Sequence, residues 1–302
     1  MNKEELNQNL LRYYFLLKTL DKVLNEIEKS LVESNQWFIF CHKIGLNFLT
    51  QAKTFVFNIT QGLKIIIIDD ISVSDKLDIS ALYTNIRLQT DTYSTFHHIF
   101  MHNGSWEEKI IRFNLWKMDA LLSRQNFSDK SLNAKQIDEE REEIERIENM
   151  ISDFEFYKNL SNNQRKNLIR TNNKGQKFAN WKFDLELITR NKDKYSWEEL
   201  TLNTGIKPSL YNDLHNYSSM HAHSNYISVI QNDQLKSNDE NYAMRITTLL
   251  YACYLISFFL DDLCKSFNSG KKIAENLNEI EIEVIKSFLK TGRKEEHIKY
   301  FK

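Results

Sequence analysis

The sequence predicts an all-α fold, a bundle of about nine long antiparallel helices with no sheet. Three features carry that expectation. The 302 residues include one proline and seven glycines, where an average soluble chain of this length would carry about 15 and 20. Barrels, sandwiches and doubly wound sheets need tight turns that such a composition does not supply. Apolar residues recur at three- and four-residue steps, and polar breaks separate these runs.

Between Lys3 and Ser34, Leu6, Leu10, Tyr14, Leu17, Leu20, Leu24, Ile27 and Leu31 form one amphipathic stripe. Trp37 to Ile66 is apolar on most sides and predicts a central helix, with Gly45 and Gly62 marking a kink or a close helix approach. Ile65 to Ile68 is strand-like but has no evident partner, so it reads as a helix end or a buried connection. A helix from Leu77 to His102 is stopped by Asn103-Gly104. Ser105 and Glu108 then form a capping box that opens a helix reaching Asn126.

Ser128 to Ser161 predicts a long charged helix with a narrow seam of Ile137, Ile144, Ile147 and Ile151. Residues 162–194 read as a basic, Asn-rich insertion or loop, with nine Lys/Arg against three Asp/Glu. A second capping box, Ser196 with Glu199, opens a short helix ending at Thr204-Gly205. Pro208 starts the next helix, where its missing N–H is harmless, and that helix reaches Ile230. Glu240 to Phe267 is an apolar helix, and Ala274 to Leu289 is the last before a charged tail. The whole reads as one helical domain over residues 1–302, or as sub-bundles 1–127 and 128–302.

The formal net charge of −1 argues against a polyanion-coating protein, although a local basic patch remains compatible with it. Cys41, Cys253 and Cys264 are far apart and odd in number, which points to a reducing cytoplasm. The start of the chain, with its early acidic residues, does not read as a secretory signal. Ile246 to Leu260 holds 15 residues without a charge. A bilayer span needs about 20, so the segment predicts the most buried helix of a bundle and no membrane association.

Six of the eight histidines fall in two groups, His97, His98, His102 and His215, His221, His223. In the first, His97 lies in the apolar stripe of Leu82, Ile86, Tyr93 and Phe100, while Arg87, Asp91, His98 and His102 share the opposite face. Asp91, His98 and His102 are therefore metal-ligand candidates, since imidazoles four apart on a helix can meet one divalent metal. The bland alternative is a solvated polar face with an Arg87–Asp91 pair. In the second group His221 joins the apolar stripe of Leu210, Leu214 and Tyr217, while His215, Ser219 and His223 share a different face. Such a face can hold a phosphate or polarise a hydroxyl, or form a buried polar network. Arg87, Asp91, Ser219 and His223 are the candidate catalytic residues.

The stretch Trp181, Ser196-Trp-Glu-Glu-Leu200, Thr204-Gly-Ile206, Tyr211 and Tyr217-Ser-Ser-Met-His-Ala-His-Ser224 resembles an uncharacterised family of bacterial helical proteins with a Tyr followed by a Ser-x-x-x-His-Ser helix. Ser219, His223 and Ser224 match that element. Ile86-Arg87 through Arg112-Phe-Asn-Leu-Trp-Lys117 is similar to the family's N-terminal helical pair. The resemblance covers roughly residues 75 to 268 and implies a fold without an established activity. A remoter similarity is to the HEPN bundles of prokaryotic toxins and defence systems, many of them RNases. Their Arg–His spacing is absent: Arg87 to His97 is too long and Arg293 to His297 too short.

Arg165, Lys166, Arg170, Lys174, Lys177 and Trp181 are nucleic-acid candidates, because basic residues interleaved with aromatics can hold phosphates and stack bases. The segment Ser196 to Leu214 resembles a helix-turn-helix, but its second helix offers Tyr, Asn and His rather than Arg or Lys, which favours a core role. The leading functional expectation is a shared polar site of Arg87, Asp91, His98, His102, Ser219 and His223. It would bind a metal or a phosphate-containing ligand, in a defence or stress context. The rivals are a scaffold or homodimer paired through the helix of residues 128–161, and an RNA-binding or RNase protein.

Overall fold

The computed structural model describes residues 2–31, 35–61, 66–68, 71–73, 78–126, 134–184, 187–188, 194–222, 230 and 238–301. The all-α expectation holds: these residues contain twelve α-helices, one π turn and one 3₁₀ turn. The predicted absence of a sheet does not hold, because two short antiparallel hairpins are present. Ile66–Ile68 (β1) pairs with Ile71–Val73 (β2), the partner that the strand-like isoleucine run lacked in the sequence reading. The chain divides into two compact units, Met1–Phe96 with Thr201–Lys302, and His97–Leu200. The boundaries fall there rather than near residue 127.

The first unit is built around α10 (Asn238–Ser266), which packs against α1 (Lys3–Ser30), α3 (Ile79–Phe96), α11 (Asn268–Glu275) and α12 (Glu279–Gly292). Helix α2 (Gln36–Gln61) lies against α1 and α3, and α9 (Pro208–Ala222) against α3. The N- and C-terminal parts of the chain therefore share one core. The apolar run of α10 is that core: Leu249, Phe258, Phe259 and Leu260 are fully buried, with Phe259 stacked between Phe48 and Phe96 at 4.5 and 4.2 Å. Among the described residues α10 is the one helix long and apolar enough to cross a membrane, and 72% of its apolar window is buried inside the fold. Gly45 marks a close approach of α1 and α2, since a Cβ there would stand 2.5 Å from Leu24. Gly62 lies outside the described residues.

The predicted charged tail is instead locked down. Asp261 and Asp262 are fully buried and are bridged by the equally buried Arg293, with Nη1 and Nη2 each 2.9 Å from a carboxylate oxygen. Arg293 Nε donates to the Thr204 carbonyl at 3.0 Å. Asp261 accepts the backbone N–H groups of Lys299, Tyr300 and Phe301, and Asp262 accepts the Tyr93 hydroxyl. Burial alone would lower the basicity of Arg293, but Asp262, Tyr93 and Asp261 raise it beyond the ordinary arginine range. The chain reaches this clamp through Gly205, whose φ of 86° is left-handed and whose Cβ position is occupied by the His297 ring at 2.3 Å.

The second unit starts with the π turn His97–Met101 and continues with α4 (Trp106–Gln125), α5 (Ala134–Asp153), the single turn α6 (Glu155–Lys158) and α7 (Asn162–Leu168). The predicted capping box of Ser105 and Glu108 opens α4. The predicted helix of 128–161 is shorter than expected, and its isoleucine seam is buried, with α5 packed along α4. Residues 162–184 are not a loop. A Ser161–Gln164 capping box opens α7, then Ile169–Thr171 (β3) pairs with Lys177–Ala179 (β4), and β4 lies along α4. The short helix α8 (Trp197–Leu202) ends the unit.

Replacing Arg293 with Met would leave two carboxylates buried without their cation. Breaking a buried pair in this way costs about 3–5 kcal/mol, so the urea midpoint of R293M is expected to fall by most of the protein's margin. A change below about 1 kcal/mol would show that the clamp is dispensable.

Candidate functional site

The chemistry gathers in the second unit, around the π turn. There the His102 N–H bonds to the His97 carbonyl at 2.7 Å, one residue further back than in an α-helix. The His98 carbonyl receives instead the guanidinium of Arg112, Nη1 to O 2.8 Å, from α4. His98 and His102 stand together with ring centroids 5.2 Å apart. The face they occupy is not solvated: His98 is 1% exposed, and the His102 side chain 18%.

Each imidazole is oriented. His98 Nε2 lies 3.1 Å from the Trp181 carbonyl, so this nitrogen carries the proton and Nδ1 presents a lone pair. His98 Nδ1 has no hydrogen-bond partner among the described residues. His102 Nε2 lies 3.4 Å from Asp184 Oδ2. Asp184 is itself fixed by the Leu187 N–H at 2.7 Å and by the Tyr195 hydroxyl. Burial and the nearby Arg112 cation lower the basicity of both histidines, well below the usual imidazole value at His98. Burial would raise the Asp184 carboxyl, but the Tyr195 hydroxyl, the Leu187 amide and His102 hold it below its ordinary range.

Arg112 is the largest fully buried side chain of this unit. Its Nη1 is satisfied by His98 and its plane lies over Phe183, yet Nε and Nη2 have no hydrogen-bond partner among the described residues. Burial lowers its pKa to about 10, with Glu108, Asp184 and Tyr195 opposing, so it remains a cation at neutral pH. Glu108 is close by but is engaged by the Ser105 N–H at 2.6 Å. Trp181, Tyr195 and Phe183 complete the surroundings, and His102 and Asp184 reach solvent.

The other predicted site residues are placed differently. Arg87 and Asp91 form an ion pair on α3 in the first unit, Nε to the two carboxylate oxygens 3.1 and 3.2 Å. Asp91 does not join His98 and His102 as a metal ligand: among the described residues no three His, Cys, Asp or Glu side chains stand close enough to hold a metal. Ser219 is half-buried on α9, and His221 is buried and stacked on Tyr83 at 4.7 Å. His223 lies outside the described residues. In the basic segment, Arg165 is tied to the carbonyls of Tyr157 and Lys158, Lys177 pairs with Glu148, and Trp181 is buried. Lys166, Arg170 and Lys174 are exposed.

Arg112, Glu108, Asp184 and Tyr195 were missed as site residues in the sequence reading. Arg112 had a signal, a cation flanked by Ile110, Ile111 and Phe113 on a helix. Asp184 had none, because it lies 82 positions from His102 inside a segment read as a basic loop. Comparison of the chain with known protein families, with curated proteins and with solved structures finds no match.

The depressed histidines make the fold sensitive to acid. Unfolding returns them to the ordinary value near 6.5, so the unfolded state binds more protons below that pH. Stability is expected to be full above about pH 6.5 and to fall as the pH drops toward their folded-state values. A long-range proton–nitrogen NMR spectrum should show the His98 ring neutral at about pH 6, and a protonated His98 there would contradict the assignment.

Proposed function

We propose that this chain binds a phosphate-bearing anionic ligand at the cluster of Arg112, His98 and His102. The observation that carries the reading is the buried Arg112, a cation whose Nε and Nη2 lack partners among the described residues. A buried, incompletely paired ion costs several kcal/mol, and each unsatisfied buried donor about 1–3 kcal/mol. Nε and Nη2 form the side-on fork of the guanidinium, which matches two oxygens of one phosphate. A phosphate seated on that fork relieves both costs. With Nε2 held by the Trp181 carbonyl, His98 Nδ1 takes up a proton as the anion binds and donates it to a phosphate oxygen, and His102, oriented by Asp184, offers the solvent-facing side.

Because an anion favours protonated imidazole, binding should take up protons. Affinity for inorganic phosphate, measured by calorimetry in buffers of different ionisation heat, is expected to strengthen as the pH falls from about 7.5 to 6. Affinity that rises with pH would oppose the reading.

Arg112→Met separates function from fold. Replacing a poorly paired buried charge with an apolar side chain of similar length is often neutral or stabilising by about 1–4 kcal/mol. R112M is expected to melt at or above the wild-type temperature while losing phosphate binding by about 100-fold, the loss of two charge-assisted bonds. A melting temperature lowered by the equivalent of more than about 3 kcal/mol would assign Arg112 to the fold.

A further inference from the structure

The second unit carries, besides this cluster, a cationic and aromatic surface. From Ser161 to Asp184 the chain has six Lys/Arg and one acid. In the β3–β4 register Arg170 stands opposite Phe178, so the two share a face, and both are exposed, Phe178 at 37%. The neighbouring positions of β4 face the other way, with Ala179 buried and β4 packed on α4. Lys166 on α7 and Lys174 in the hairpin turn are exposed as well. Trp197 is 39% exposed, with Lys182 Nζ 3.6 Å from its ring centroid and the Trp181 ring edge-on at 6.1 Å. Trp181 is also the residue whose carbonyl orients His98. Phe178 and Trp181 are three residues apart, at most about 10 Å of extended chain.

We infer that the phosphate-bearing ligand is a single-stranded nucleic acid, with one backbone phosphate meeting Arg112 and bases stacked on Phe178 and Trp197. This rests on the proposed phosphate site and names its substrate class. Lys166, Arg170, Lys174 and Lys182 supply the sequence-independent attraction for the remaining phosphates. Exposed aromatic rings beside cations select bases over a bare polyanion, because every base has a face to stack. A duplex keeps its bases stacked on each other and leaves these rings unused.

The test uses the full chain, a fluorescein-labelled oligo-uridine of about 15 nucleotides and anisotropy at salt from about 25 to 300 mM, with calorimetry of inorganic phosphate alongside. Five phosphate contacts give a slope of about −3.5 in log affinity against log salt. The double charge reversal K166E/R170E should weaken oligo-uridine by tenfold or more and leave phosphate binding unchanged. Phe178→Ala should weaken it by roughly five- to tenfold; all three residues are exposed, so the fold is not at issue. R112M should weaken both ligands, and phosphate should compete with the oligonucleotide. Phosphate binding without oligo-uridine binding at the lowest salt would overturn the substrate class and leave the phosphate site standing. Loss of both would overturn both. Oligonucleotide affinity indifferent to F178A and matched by heparin would mark non-specific polyanion binding and end the inference.

Discussion

The two carboxylates near the end of the core helix α10 set the architecture of the first unit. Asp261 and Asp262 stand close to the helix C-terminus, where the helix dipole disfavours negative charge, and both are fully buried. They are stable there only because Arg293 bridges them, three backbone N–H groups of the chain end converge on Asp261, and Tyr93 and Lys299 meet Asp262. Those partners come from three places: α3, the residue after α12, and the segment beyond it. The requirement to solvate two ions inside the fold is thus what holds α3, α10, α12 and the chain end in one arrangement.

The buried arginines form a series against that standard. Arg293 uses all three of its nitrogens. Arg245 donates to the Ile59 carbonyl at the C-terminal end of α2, where the helix dipole favours a cation, and to Asn241. Arg112 has one bond among the described residues, to the His98 carbonyl. That bond exists because of the π turn: the His102 N–H reaches past His98 to His97, and the carbonyl it passes over is taken by Arg112. One irregular helical turn therefore both brings the histidines together and draws a cation beside them. Beside that turn stand the Arg112 Nε and Nη2 donors, which have no partner among the described residues.

How much of this was legible in the sequence follows from where the information lies. The helices were, because three- and four-residue periodicity is local; the capping boxes of Ser105 and Ser196 were legible for the same reason. The hairpins were not, because a three-residue strand such as Ile66–Ile68 carries no periodic signal and its partner lies just past two aspartates. The burial of Asp261 and Asp262 was hidden because charges flanking an apolar run usually mark its exit to water, and their cation, Arg293, sits in a segment that reads as a solvated tail. His98 and His102 stand side by side, as their four-residue spacing on one helical stretch implies. Their orienters, the Trp181 carbonyl and Asp184, lie about 80 residues downstream in a basic stretch, where no spacing rule connects them.

Net charge alone would not choose an anion for the site proposed at Arg112, since Glu108 and Asp184 are both near it. What chooses is hydrogen-bond demand. Glu108 is committed to the start of α4 through the Ser105 amide, and Asp184 to Leu187, Tyr195 and His102. Their fields soften the cost of the buried guanidinium, but neither gives it an acceptor on Nε or Nη2. The same two carboxylates repel a fully ionised ligand and favour protonated imidazole. A phosphate therefore enters on best terms as a diester or monoanion, or together with protons taken up by His98 and His102. A backbone phosphodiester carries a single charge and two acceptor oxygens in the plane of the fork, so it meets the demand of Arg112 with the least conflict with Glu108 and Asp184.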